Sequence, residues 1–177
     1  WLARCVAAHR TGFVMCPMTV PPYHFETFVD YHQFCLEDES APIWDGDVWT
    51  DQAVARQLAV APGVVVVGTA RNTRVPLRID ICDEAPDEQF EEWDRVVDCT
   101  MAVSSGRLVV RAPTDYVPDA RRIALPAAVY RLRVRSGGLG TVSGDACGGN
   151  DHYSVTFWPA PPAAPCVHKV PRSGEGT

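Results

Sequence analysis

Thr27-Phe28-Val29-Asp30-Tyr31-His32-Gln33-Phe34-Cys35-Leu36 alternates along its length. Phe28, Asp30, His32, Phe34 and Leu36 fall on one side of an extended chain; Val29, Tyr31, Gln33 and Cys35 fall on the other. The period of two predicts a half-buried strand over residues 27–36. Its polar pair, His32 and Gln33, would sit mid-strand among aromatic neighbours, one on each face. Buried polar groups need hydrogen-bond partners, so these two side chains read as staples of the fold.

The same period recurs downstream. Residues 64–69 form a short apolar run, and 75–82 place Val75, Leu77, Ile79 and Ile81 on one face. Pro76 in that run suggests a strand start or an edge, because proline cannot donate to a ladder. In 91–103, Trp93, Val97, Cys99, Met101 and Val103 share a face that Arg95 interrupts. Ser104-Ser105-Gly106 predicts a hairpin turn into a strand over 107–112. Further strands are expected over 121–125, over 129–135 and over 151–158. In the second of these, Tyr130, Leu132 and Val134 oppose Arg131, Arg133 and Arg135, which predicts a basic outer face. One helix is expected from Asp51 to about Val60, capped by Thr50 and ended by Pro62-Gly63. This pattern predicts an all-β fold, an antiparallel β-sandwich of about seven to eight strands with one short helix. Residues 1–22 read as an irregular arm, 23–159 as the single sandwich domain, and 160–177, rich in Pro, Ala and Gly, as a disordered tail.

With 177 residues and 46% hydrophobic residues, the chain can bury a substantial core. Its net charge of −6 and pI near 5.3 argue against direct nucleic-acid binding, which needs a basic face. No apolar run approaches the ~20 residues of a membrane span. Arg4, His9 and Arg10 break any apolar stretch near the start, which reads against a signal peptide. Charge is segregated along the chain. Residues 80–98 hold nine acids and one base, and residues 107–135 hold seven arginines and two acids. Solvated faces of opposite sign, or an acidic patch that meets a basic partner, both explain this. The seven cysteines are an odd number and include no CxxC pair, so zinc-ligand spacing is absent. Cys35, Cys82 and Cys99 fall inside strand patterns. Free thiols in a reducing, cytoplasmic setting are expected.

No G-x-S-x-G, Walker A or H-E-x-x-H sequence occurs, so no catalytic residue or cofactor is expected. Gly137-Gly138-Leu139-Gly140 lacks the lysine and following helix of a phosphate loop and reads as a flexible hairpin connection. His24, His32 and His152, with Asp30 or Asp151, have the chemistry of a metal or acid–base site but not its spacing. A turn plus a helix cap accounts for Asp45, Asp47 and Asp51 without calcium. Trp44, Trp49 and Trp93 suit interface anchors or core plugs, and Trp93, on an apolar strand face, is expected in the core.

Tyr31-His32-Gln33-Phe34 opens an ordered set of features. It is followed by Trp49-Thr50-Asp51-Gln52-Ala53, a Gly-Val-Val strand, and Arg71-Asn72-Thr73 ahead of a Val/Leu/Ile strand. A long strand with a hairpin partner comes next, and then Leu125-Pro126-Ala127-Ala128-Val129-Tyr130. In this order, over roughly residues 28–159, the chain resembles the competence protein J family, inhibitors of the competence DNA-entry nuclease. Asn150-Asp151-His152-Tyr153 with Phe157-Trp158-Pro159 looks like small bacterial proteins of the same kind. The resemblance implies a small, non-enzymatic bacterial protein that binds a nuclease and blocks it. Its carboxylates would stand in for phosphates in a basic groove. The candidate partner-binding residues are Glu37, Asp38, Glu39, Asp45, Asp47, Asp83, Glu84, Asp87 and Glu88. The alternative is a small-ligand or carbohydrate module with His32, Trp44, Trp49 and His152 at a cleft between sheets.

Overall fold

Tyr31 and His32 interrupt the expected first strand. In the computed structural model, which describes residues 20–42 and 48–171, both take left-handed backbone angles, φ 52° and 55°. Gln33 N–H closes a turn on the Asp30 carbonyl at 3.1 Å. The stretch is therefore two strands, β1 (Tyr23–Phe28) and β2 (Gln33–Asp38), joined at a corner. They lie in different sheets. His32 is exposed in the turn, and its N–H donates to Asn72 Oδ1 at 2.8 Å. Only Gln33 acts as the expected staple: its Oε1 accepts from Trp49 Nε1 at 2.6 Å.

Thr50 caps α1 (Asp51–Arg56) by accepting from Ala53 N–H at 3.2 Å. The helix ends four residues earlier than its spacing predicts. Gln57 turns left-handed at φ 54°, and β3 (Leu58–Ala61) follows, so Pro62-Gly63 is the turn of a hairpin with β4 (Val64–Gly68). The remaining strands are β5 (Arg74–Ile81), β6 (Arg95–Val103), β7 (Arg107–Arg111), β8 (Arg121–Ala124), β9 (Ala128–Gly137), β10 (His152–Pro159) and β11 (Cys166–Lys169).

Two sheets face each other, as the all-β reading requires. One runs β1-β5-β10-β9-β6-β11 and the other β3-β4-β2-β7-β8. Pairing is antiparallel except between β5 and β10, which run parallel. The sequence pattern resolves fewer strands than the eleven described, because β1, β3 and β11 carry weak or ambiguous periods. Part of the expected disordered tail is in fact β11, paired with β6. Ser104-Ser105-Gly106 does not close a hairpin: β6 and β7 belong to different sheets, and the loop crosses between them. Pro76 lies in an interior strand, but it precedes Leu77, where pairing with β10 begins.

The core lies between the sheets. Val75, Leu77, Ile79 and Ile81 pack with Val97, Cys99, Met101, Leu132, Val155 and Phe157 against Phe34, Leu36, Val65, Val67, Leu108 and Val110. A smaller cluster of Cys35, Ala53, Ala59, Val64 and Val66 seats α1 on the outer face of the second sheet. This double burial explains why residues 64–67 are an unbroken valine run rather than an alternating one. Cys82 is disulfide-bonded, which corrects the expectation of a free thiol there; Cys35, Cys99, Cys147 and Cys166 are free. No helix among the described residues is long and apolar enough to cross a membrane.

Candidate functional site

Segregated charge in the sequence becomes one neutralised layer and one exposed rim in the fold. On β6 and β9, Asp98 stands opposite Arg133. Arg133 Nε and Nη2 donate to the two Asp98 oxygens at 2.9 Å each, and His168 Nε2 lies 3.0 Å from Oδ2. Burial alone would raise the Asp98 carboxyl, but hydrogen bonds and charge from Arg133 and His168 outweigh it and hold it below the usual range. The expected basic outer face of β9 is thus corrected: Arg133 is only 4% exposed, spent on an internal pair and roofed by the chain. Arg135 Nη1 donates to Thr156 Oγ1 at 3.0 Å, and burial and then Arg133 lower its guanidinium to about 10.

The roof is the loop between β5 and β6, held by its backbone. Arg133 Nη1 donates to the carbonyls of Pro86 and Asp87, at 3.1 and 3.3 Å. Lys169 Nζ donates to the carbonyls of Phe90 and Glu91, at 2.8 and 3.0 Å. Phe90 lies under the Arg133 guanidinium, 5.0 Å from ring centroid to Cζ, and against the His168 ring at 5.2 Å. Asp94 N–H donates to Ser136 O, and Asp94 Oδ2 accepts from Leu139 N–H. With its carbonyls and Phe90 turned inward, the loop exposes Asp83, Glu84, Asp87, Glu88, Glu91 and Glu92. The alternation over 91–103 places Glu91 and Glu92 at the start of a strand, so the sequence does not single them out as partner-binding residues. Six acids and no base over residues 83–92 are the signal that includes them.

The other sequence-derived candidates lie on the second sheet. Glu37 and Arg111 form a two-bond ion pair at 2.7 and 2.9 Å, each 13% exposed. Asp38 is buried and accepts from Ser105 N–H at 3.0 Å, from Ser40 Oγ at 2.6 Å and from Ser105 Oγ. Burial opposes ionisation there, but these bonds prevail and lower its carboxyl. Glu39 pairs with Arg122 at 2.7 Å and Arg107 at 3.1 Å, which lowers it too. Asp45 and Asp47, like Trp44, lie outside the described residues. Residues 37–39 therefore sit among arginines of β7 and β8, whereas 83–92 rim the other sheet.

His24 and His152 line one cavity beside that rim, on β1 and β10 with β5 between them, while His32 is away in the β1–β2 turn. No group of three His, Cys, Asp or Glu among the described residues is arranged to hold a metal ion. Trp93 is not a core residue: it is half-buried, with its ring 5.2 Å from that of His152. Trp49 packs beside α1 on the opposite sheet, so Trp49, His32 and His152 do not line one cleft. Asp151 is wholly buried. It pairs with Arg71 and accepts from Tyr153 OH at 2.9 Å, and that hydroxyl in turn accepts from Ala70 N–H at 2.8 Å.

No family model matches the chain, and no curated protein matches it. Among solved structures, it is similar to the crystal structure of ComJ, inhibitor of the DNA degrading activity of NucA, from Bacillus subtilis. The two share 18% identity over 80% of this chain and 96% of that one, with a TM-score of 0.56. A second structure, described as crocagin biosynthetic gene J, shares 18% identity over 79% of this chain and 96% of that one, with a TM-score of 0.52. This likeness establishes a ComJ-like fold, as the sequence resemblance implies.

Proposed function

We propose that this ComJ-like chain is a non-enzymatic protein that binds and inhibits a DNA-degrading nuclease, and that the rim at residues 83–92 carries the contact. The observation that supports this most is the way the rim is held: cations grip its backbone carbonyls, while Glu84, Asp87, Glu88, Glu91 and Glu92 are exposed to solvent. A row of carboxylates on a fixed backbone offers the charge of a phosphate backbone with little ordering cost. A nuclease groove is basic because it must hold phosphates, so such a row steers and orients the encounter. ComJ, of the same fold, is an inhibitor of the DNA degrading activity of NucA, which favours a protein partner of this class. Glu39 keeps part of its surface but shares its charge with two arginines; Glu37 and Asp38 serve the fold in this reading.

Plasmid cleavage by NucA, and by a nuclease from this chain's own source, tests the proposal as the purified protein is titrated in. Near-stoichiometric loss of cleavage by either is expected. Unchanged cleavage by both at saturating protein overturns it.

A further inference from the structure

Beside the acidic rim, the outer face of the first sheet opens into a cavity of about 550 Å³. Alternation along β1, β5 and β10 builds its floor. His24 stands opposite Arg78, and Arg78 opposite Ser154; Glu26 stands opposite Pro76. Trp93 and Glu92, from the end of the rim, add a wall, and His152 lies against Trp93. Gly137 makes room for that imidazole: a Cβ there would come within 2.7 Å of His152 Nε2.

The charges are unequal. Arg78 Nε lies 2.9 Å from each oxygen of Asp80, so that guanidinium is compensated within the sheet. Neither Glu26 nor Glu92 is in an ion pair among the described residues, and both are exposed at the cavity. Two unpaired carboxylates beside an indole wall and a proline floor match a flat cation on an aliphatic stem. A guanidinium stacks on indole and pairs with a carboxylate through two parallel N–H bonds; an ammonium does the first less well and cannot do the second.

We propose that this cavity is an anchor for an arginine side chain of a protein partner. The inference rests on the inhibitor reading for the partner's class and adds to it a specific pocket. The rim would attract a basic surface over distance, and the pocket would fix one residue of it, as buried arginine anchors do at other interfaces.

The probe is the peptide acetyl-Gly-Arg-Gly-amide, titrated into isotopically labelled protein. The Trp93 indole and His152 imidazole resonances are the readout. Saturable shifts at these two rings are expected. The neutral isostere with citrulline in place of arginine should bind at least tenfold more weakly, and the E26Q/E92Q double variant should bind the arginine peptide at least tenfold more weakly. An unchanged melting temperature establishes that the variant is folded, and the citrulline comparison needs no variant. Equal binding of the citrulline peptide, or shifts centred elsewhere, or no saturable shift at millimolar peptide, overturns the pocket. Agmatine, a free guanidinium with no peptide backbone, separates the sources: tighter binding of agmatine than of the peptide overturns the protein-partner assignment. Nuclease inhibition, measured alongside, keeps the two readings distinct. Inhibition without peptide binding removes the pocket alone, and peptide binding without inhibition removes the inhibitor reading alone.

Discussion

Asp98 carries a charge almost out of reach of water, and the fold depends on its partners. Taking a carboxylate out of water costs several kcal/mol, offset here by two bonds from Arg133 and one contact from His168. Asp98→Ala leaves Arg133 buried and uncompensated, and a loss of ~3–5 kcal/mol in urea unfolding is expected. The pH dependence has a definite sign. The folded-state value lies below the unfolded one, so this contribution is whole above about pH 4 and is lost as the pH falls through the folded value. Urea midpoints at pH 7 and pH 3 should therefore differ more for the wild type than for Asp98→Asn. Thiols divide by the same physics. Burial pushes Cys35 and Cys99 up to about 12, whereas Cys147 and Cys166 are exposed. Iodoacetamide on the native protein should label Cys147 and Cys166 within minutes, leaving Cys35 and Cys99 unlabelled until unfolding. Mass spectrometry of the digested product reads this directly.

The β1–β2 corner shows how an element boundary escapes an alternating pattern. A turn with positive φ at both central positions normally carries Asn-Gly, because side chains beyond Cβ resist left-handed angles. Here Tyr31 and His32 adopt them, held by Tyr31 N–H to Asp30 Oδ1, by Thr114 Oγ1 to Asp30 Oδ2, and by His32 N–H to Asn72 Oδ1. Alternation of aromatic and polar residues continues through the corner, so nothing in the period marks it. Tyr31→Asn with His32→Gly should raise stability by ~1 kcal/mol by removing strain, read as a higher melting temperature. The helix end is hidden in a similar way. Leu58 follows Val54 by four residues, a helical spacing, yet Leu58 is buried in β3 after the left-handed Gln57. The stretches that carry the family likeness also acquire a physical meaning at this scale. His32 N–H donates to Asn72 Oδ1 and the His32 carbonyl accepts from Thr69 N–H, and Arg71, Asp151 and Tyr153 are joined through a buried network. Tyr31–Phe34, Arg71–Thr73 and Asn150–Tyr153 thus meet at one end of the sandwich, where they serve the fold.

For the whole molecule, the decisive arrangement is the disposition of opposite charges. The acidic and basic segments of the sequence become neighbours through the pairing of β6 with β9. Their contact pairs Asp98 with Arg133 and leaves Glu84, Asp87, Glu88, Glu91 and Glu92 exposed on the outside. On the proposed inhibitor reading, charge reversal of Glu84, Asp87, Glu88 and Glu91 to lysine should slow association with the inhibited nuclease at least tenfold at low salt, with little change in melting temperature. Raising ionic strength past ~0.15 M, where screening acts over ~8 Å, should narrow the difference between variant and wild type. Stopped-flow association rates measure both. Equivalent reversal of Glu37 or Asp38 should instead lower the melting temperature, since those groups hold β2 to β7 and to the β6–β7 crossing.

Which faces are buried is legible in the pattern of residues along each strand. Val75 to Ile81, Val97 to Val103, Tyr130 to Val134 and Tyr153 to Phe157 alternate as they do because one side of each strand meets the core, and burial of apolar surface depends only on local pattern. The sequence also contains the acidic run as a run. Which of the chain's acids are paired is settled by the fold. Whether a carboxylate is paired depends on residues far along the chain: Asp98 on Arg133, Glu37 on Arg111, Asp151 on Arg71. The fold likewise decides that Glu26, Glu92, Trp93 and His152 share one cavity, because β1, β5 and β10 become neighbours through pairing that no local period encodes.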